Sequence, residues 1–387
     1  MTAALALVRN GFRVVVLEQA ERLEETGAGV QLSPNAARIL IDLGLDSLLR
    51  PQAIAPSALR VLNAASGREI VRMALAEGAE QRYGAPYWVI HRGDLQAALL
   101  AAASRHLDVT VNLGIRVEDF VGHPNGVTVS ARRAAGTVEE RGLALLAADG
   151  LWSPLRARMG YGEPPRYAGR TAWRALVPAS AVAPEFRQPL VHLWLGRNAH
   201  MVHYPVKAGR LINVVVIAAD AWHAAGWSEP ASRTELMPHI AAQPWAPAAS
   251  ALLHLPDAWL KWALYDRRPL LRWSQGAVAL IGDAAHPMLP YLAQGAAMAI
   301  EDAAVAAQCL ARMPQDAPAA LASYCAMRRL RAWRVQRVAA RNGDRYHWGG
   351  ALAWLRDTAM RTAGGAALLR HYDWLYDWRP PPALSLD

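Results

Sequence analysis

The segment Ala277 to Asp302, AVALIGDAAHPMLPYLAQGAAMAIED, constrains the fold of this chain more than any other stretch. A short apolar run ends in Gly282-Asp283, a loop of small residues follows, and GAAMAIEDAAVAAQCL then has helical character. That order predicts a buried strand delivering a carboxylate to the mouth of a helix. In open α/β sheets, ligands sit beyond the carboxyl ends of strands, where helix N-termini point their amides. Asp283 is thus placed to accept from a ribose-type hydroxyl, and the Gly295-Ala296 region to receive a phosphate or a polar ring edge. The alternative is a plain strand-loop-helix unit with no ligand.

The chain opens with TAALALVRNGFRVVVLEQ, which parses as a helix, a turn at Asn10-Gly11 and a strand from Arg13 to Leu17 ending in Glu18. In a dinucleotide-binding unit a first strand and a G-x-G-x-x-G loop precede such a helix, and a ribose-binding carboxylate stands roughly 20 residues beyond the glycines. Glu18 occupies that carboxylate position, whereas the strand and the loop are absent from the sequence. Either the start codon was assigned too late or the polypeptide is N-terminally truncated, and the well-kept downstream motifs favour the first. Glu18 can also be read as an exposed strand end.

Further on, Ser33-Pro34-Asn35 precedes a helix from Ala36 to Leu43, with Gly44 as its stop signal. Strands are predicted at Leu59–Leu62 and Glu69–Met73, and a helix at Arg92–Ser104. A β-rich excursion (Val109–Val111, Arg116–Val121, Val127–Ala131) closes at Leu143–Ala147. From Arg170 to Ile217 the pattern turns to alternating strands, with a hairpin connection at Lys207-Ala208-Gly209-Arg210. This reads as an antiparallel sheet covering a site. After Met313-Pro314 the chain is helical to about Leu369.

With 387 residues the chain can bury a large core and form two domains. It is 53% hydrophobic and 19% charged, a globular rather than disordered composition. Its net charge of +9 raises the question of nucleic acid or an acidic membrane surface. Only Lys207 and Lys261 are lysines, and the arginines are scattered without a block of like charge. Some arginines are therefore assigned to anionic ligands, and no nucleic-acid partner is expected. Cys309 and Cys325 lack metal-ligand spacing, so no metal is expected and a reduced, cytoplasmic protein is. No apolar run approaches the roughly 18 residues of a membrane span, and AALALV lacks the basic flank of a signal peptide.

Together these motifs bring in a family. The segment from Ala277, with EQAERLEETGAGVQLSPNAARIL (Glu18–Leu40), WVIHRGDLQAAL (Trp88–Leu99) and LLAADGLWSPLRARM (Leu145–Met159), resembles the single-component FAD-dependent aromatic hydroxylases typified by salicylate hydroxylase. The tail around Tyr346-His347 and Asp373–Tyr376 extends the resemblance along essentially the whole chain. It implies an α/β fold: a Rossmann-like FAD-binding domain with a parallel sheet (residues 1–55, 86–168 and 268–312), an antiparallel-sheet substrate domain (56–85 and 169–267) and a C-terminal helical region (313–387). It also implies FAD as cofactor, NADH or NADPH as co-substrate, dioxygen, and hydroxylation of a small anionic aromatic through a flavin hydroperoxide. A truncated, non-catalytic relative, or an epoxidising relative with an apolar substrate, remains an alternative. Monomer and homodimer both stay open.

Candidate site residues follow. Asp149 ends a strand and can accept hydroxyl or amide donors, while Gly150 lets a ligand approach the backbone. Arg156 can hold a phosphate or pair with Asp149. By resemblance, Arg92 contacts the flavin nucleotide, Arg38 reaches the same cofactor from its helix, and Gly29 belongs to the GAGVQL loop. Gln31 in that loop stands where some relatives have a histidine, which puts an acid-base role there in doubt. Alternation places Arg174 on one face of its strand, and His200, Val202 and Tyr204 on one face of another. An arginine, a histidine and a tyrosine suit an anionic hydroxyaromatic, and by resemblance Arg174, His200 and Tyr204 fall at active-site positions. His200 can instead hydrogen-bond a backbone group. His286 reads as structural rather than as a proton donor.

Overall fold

A computed structural model describes residues 1–23, 28–222 and 226–381. Helix Thr2–Val8 turns at Gly11 (φ 81°) into strand Val14–Leu17. That strand pairs in parallel with Val109–Asn112, and Leu145–Ala147 pairs in parallel with Val278–Leu280. These are the expected Rossmann-type elements, with helices Arg92–Ala103 and Gly295–Arg312 packed alongside. The two parallel pairs are separate sheets, with no hydrogen-bonded strand joining them among the described residues. An antiparallel three-stranded sheet (Arg116–His123, Gly126–Arg133, Gly136–Gly142) projects from this layer.

The second layer is an eight-stranded sheet in the order Ser228–Ser232, Ala258–Asp266, Arg166–Pro178, Leu211–Ala219, Ala199–Val206, Leu190–Leu195, Ala58–Asn63, Glu69–Ala74. All neighbours are antiparallel except Leu190–Leu195 with Ala58–Asn63. The hairpin at Lys207 turns through left-handed backbone (φ 54° at Lys207, 52° at Ala208, 85° at Gly209). It places the Lys207 ammonium 2.7 Å from the Asp94 carboxylate, tying the sheet to the nucleotide-binding layer. Helices Ala317–Tyr346 and Gly350–His371 complete the chain, and no helix among the described residues is long and apolar enough to cross a membrane.

One segment departs from expectation. Residues Gly29–Leu32, read as loop, form a strand antiparallel to Trp88–His91. Four residues without clean alternation leave too little periodicity to show a strand. The pairing carries Gly29 and Gln31 beneath the large sheet, where Gly29 N–H donates to Asn213 Oδ1 at 2.8 Å.

The layers meet at a buried ionic crossing. Glu301, Asp302 and Arg328 are fully buried. Arg328 donates to Asp302 Oδ1 (2.8 Å) and Glu301 Oε2 (2.5 Å), and Arg331 adds a fork onto Glu301. Asp302 Oδ2 accepts from Gly282 N–H (3.0 Å) and from His286 Nε2 (2.5 Å). Glu301 Oε1 accepts from Asn35, which joins Ser33 and Gln294 in a closed hydrogen-bonded set. Burial alone would raise the Asp302 pKa, but His286 and Arg328 outweigh it and hold the carboxyl well below its usual range. Removing one partner of such a pair strands a buried charge. Arg328→Met is expected to lower unfolding free energy in urea by about 3–5 kcal/mol, and a change under about 1 kcal/mol would show the crossing to be dispensable.

The far face of the large sheet holds a second buried set. His192 and His203 stack at 4.4 Å between Phe186 and Trp194. Burial, then the charges of Arg60 and Arg72, push His192 down to about 4, and burial drives His203 well below its ordinary value. Both are therefore neutral when folded, while the unfolded chain takes up protons below about 6.5. Their stabilising contribution is complete above that pH and is lost as pH falls toward 4. Chemical denaturation across that window should give a slope shallower by up to about 1.4 kcal/mol per pH unit for each of His192→Phe and His203→Phe.

Candidate active site

Strand Val278–Leu280 ends at Gly282, whose φ of 58° lies in the left-handed region and whose missing side chain leaves room for Ala299. A Cβ there would stand 3.1 Å from that of Ala299. The next residue, Asp283, is exposed to solvent yet enclosed by protein, the condition of a group on the wall of a deep cleft. Desolvation raises its pKa, while His286 and Arg92 act against that rise. Arg92 opens helix Arg92–Ala103 behind the His91 cap, is exposed, and makes no ion pair among the described residues. Gly295 and Ala296 form the first turn of the 18-residue helix Gly295–Arg312, half-buried at the same mouth.

Asp149 Oδ2 caps the short helix Pro154–Arg158 by accepting from Leu155 N–H at 3.1 Å. Its Oδ1 is buried without a partner, an acceptor left for a ligand hydroxyl or amide. Neither alternative read for Arg156 describes it, because its guanidinium donates to the carbonyls of Ala284 and Ala285 (3.0 and 3.2 Å). It braces the loop behind Asp283. Arg38 likewise donates to the carbonyls of Tyr83 and Trp378, tying helix Pro34–Asp42 to the C-terminal tail rather than presenting a free fork to a cofactor. Buried carbonyls are strong acceptors for a buried guanidinium, and sequence spacing does not reveal them. Glu18 stands at the end of its strand with Oε1 accepting from Ala20 N–H at 2.8 Å, half-buried.

Facing this cleft, the large sheet presents His200, Arg174 and Tyr204. Register sets Ala172, Ile217 and His200 in one row, Arg174, Val215 and Val202 in the next, and Leu176, Asn213 and Tyr204 in a third. All three candidate side chains therefore share a face, as alternation predicts. Arg174 lies 4.0 Å over the Trp262 ring, its Nε is buried without a partner, and no carboxylate pairs with it among the described residues. Burial pushes its pKa down to about 10, with Tyr204 and Arg92 the nearby charges felt.

Tyr204 is buried beside Gln31, whose Oε1 accepts from the Tyr87 hydroxyl at 2.6 Å. His200 is buried among Tyr291, Tyr346 and His347, with its Nδ1 2.8 Å from His347 Nε2. It bonds a second imidazole rather than the backbone group that sequence left open. His286 is held by Asp302 beneath the loop.

A model of the FAD binding domain matches residues 1–339. The chain belongs to the FAD-dependent aromatic hydroxylases. It is 35% identical to 3-hydroxybenzoate 6-hydroxylase 1 of Aquipseudomonas alcaligenes, over 97% of this chain and 94% of that protein. It is 37% identical to a 3-amino-4-hydroxybenzoate 2-monooxygenase of Streptomyces platensis, over 100% of this chain and 95% of that protein. A solved salicylate hydroxylase substrate complex superposes with a TM-score of 0.80 at 27% identity, covering 98% of this chain and 92% of that one. The hydroxylase is thus an FAD-dependent monooxygenase. The cleft fits the cofactor: among the described residues Asp149 Oδ1 is an orphaned acceptor and Arg92 makes no ion pair, and Asp283 is an enclosed carboxylate.

Sequence reasoning missed Asn213, Trp262, Gln294 and His347. Asn213 was findable as the lone polar residue in LINVVVIA, whereas one tryptophan of 15 carries no such mark. Gly29 shows how tightly the wall is built. A Cβ at that position would lie 2.6 Å from Tyr204 Cε2, 2.7 Å from its hydroxyl and 2.8 Å from Asn213 Cγ. Gly29→Ala is expected to destabilise the fold by about 1–3 kcal/mol in urea titration and to raise the KM for aromatic substrate; unchanged values of both would show that Tyr204 has room to move.

Proposed function

We propose that this hydroxylase adds oxygen to a small aromatic acid that also carries a phenol, a hydroxybenzoate-like compound, using NADH or NADPH and dioxygen. The observation that carries the reading is Arg174: a guanidinium enclosed on the sheet face with no acidic partner among the described residues. A half-buried cation without an acidic partner is costly, and an anionic ligand offsets that cost. The named relatives above act on hydroxybenzoates, in keeping with such a ligand.

FAD, when bound, carries electrons from the nicotinamide to dioxygen and supplies the oxygen-transfer chemistry. Glu18, Asp149, Asp283, Arg92 and the amides at Gly295-Ala296 are the groups suited to hold it. Gly29 keeps the neighbouring wall thin. Arg174 binds the substrate carboxylate or phenolate through its fork. Tyr204 orients the ring through its hydroxyl. His200 takes the phenol proton, because a phenolate is the more electron-rich ring for attack by an electrophilic oxygen. Burial, then His347 and Arg170, lower its pKa, so the ring is neutral at neutral pH. The layers of apolar side chains around the cleft exclude water. Two free buried cysteines fit a reducing compartment, the cytoplasm.

The test is turnover of purified, FAD-loaded protein with NADH or NADPH and a panel of hydroxybenzoates. Consumption of reductant should rise with substrate, and mass spectrometry should find product carrying one added oxygen atom. In Arg174→Ala, KM for carboxylated phenols should rise about 10- to 100-fold while neutral phenols change little. Equal effects on both classes would remove Arg174 from anion binding.

A further inference from the structure

We infer that Trp262 is a positioning residue for anion recognition: its indole holds the Arg174 guanidinium by one face and leaves the N–H edge free for the substrate's carboxylate. The inference deepens the reading of Arg174 as the anion-binding group and rests on it.

The placement follows from strand register. Ala258–Asp266 pairs with Arg166–Pro178 so that Ala172 stands opposite Trp262 and Arg174 opposite Leu260. Trp262 is therefore a diagonal neighbour of Arg174 on the cleft face, a separation of about 7–8 Å that long side chains cross. The guanidinium carbon lies 4.0 Å over the indole ring, well inside the roughly 6 Å reach of a cation–π contact. Directly opposite Arg174 on its two neighbouring strands stand Leu260 and Val215, and neither can balance a charge. Trp227 packs edge-on against the Trp262 ring at 5.3 Å, so the platform is itself held from the rim.

The same two strands carry a second cation–indole pair on the far face, with the roles exchanged. There Lys261 lies 5.6 Å from the ring of Trp173, its partner in register. That ammonium also meets Glu229 at 2.6 Å and Glu235 at 3.2 Å. The far-face cation is thus neutralised within the chain, whereas the cleft-face cation has a ring in place of acids. A ring compensates part of a charge without occupying a donor, because it meets the flat face of the guanidinium while the N–H groups lie in its plane. Arg38 and Arg156 show the alternative, since both use donors on backbone carbonyls. Arg174 makes no such bond among the described residues, and its Nε is buried without a partner. An acid reaching a guanidinium stacked in this way meets it edge-on and in plane, the geometry in which a carboxylate binds through both oxygens.

The experiment measures turnover, by the full FAD-loaded chain, of the hydroxybenzoate it uses best in the panel above and of the matching hydroxybenzamide, which keeps the shape and lacks the charge. Trp262→Leu should raise KM for the acid about 5- to 30-fold and KM for the amide little, with a larger effect on KM than on kcat. Trp262→Phe, which keeps an aromatic face, should hold the ratio of the two KM values near that of the wild type. In an Arg174→Ala background, Trp262→Leu should leave that ratio where Arg174→Ala alone puts it, because the ring acts through the guanidinium. Equal KM changes for acid and amide in Trp262→Leu, a Trp262→Phe as impaired as Trp262→Leu, or a full further loss in the double variant would each overturn the inference. Should Trp262→Leu fail to fold, Trp262→Met, also without a ring, is read in its place. Arg174→Ala separates the two claims. If it changes KM for acid and amide alike, Arg174 does not bind the acid and the proposed reading falls; if it discriminates between them and Trp262→Leu does not, only the role of Trp262 is lost.

Discussion

The contact among Asp302, Glu301 and Arg328 is the constraint on which the site depends. Gly282 is the residue that turns the Val278–Leu280 strand toward the cleft, and its amide is held by Asp302. His286, three residues past Asp283, is held by the same oxygen. The loop that presents Asp283 is thus pinned at both ends by one carboxylate, and that carboxylate is kept ionised by Arg328. Through Asn35 and Gln294 the same crossing fixes the helix that follows the Gly29–Leu32 strand, and hence the wall behind Tyr204. Aromatic rings close it from outside: Trp378 lies 4.9 Å from the Arg328 guanidinium and 4.8 Å from that of Arg331. A buried network of this kind is weak evidence for stability as such, but it does define one arrangement of four segments.

Parts of this were legible in the sequence because they are written in local patterns. The strand ending at Gly282-Asp283, the helix from Gly295 and the shared face of His200 and Tyr204 each follow from periodicity within a few residues. The ionic crossing was not legible. Glu301-Asp302 within an apolar helix looks like an ordinary acidic pair, and its partner lies 26 residues beyond Asp302 on another helix. The contacts of Arg38 and Arg156 were not legible for a related reason. Backbone carbonyls bind them, and a carbonyl has no letter in a sequence. The pair His200–His347 is separated by 147 positions and depends on where a 30-residue helix ends.

The large sheet divides its chemistry by face. Arg174, Tyr204 and His200 look toward the cleft, whereas Trp173, Trp194, His203 and their apolar neighbours close the other side. Buried polar atoms without partners among the described residues occur on both faces, at Arg174 and Asn213 on the cleft side and at Trp173, Trp194, His192 and His203 on the other. The opposite side is filled by packing against helices Arg233–Ile240 and Pro247–His254. The three candidate side chains thereby stand on extended backbone that is hydrogen-bonded on both sides.

Arginine, rather than lysine, occupies the ionic crossing, and this has a consequence for the conditions the protein tolerates. A buried ammonium can shed its proton and become neutral when its surroundings disfavour charge, but a guanidinium does not. The charge at Arg328 is therefore permanent, and Asp302 beside it, held well below the usual carboxylate range by His286 and Arg328, stays ionised in all but strong acid. Only acid can discharge the joint, so the loop bearing Asp283 should loosen from one direction of pH and stay set against the other.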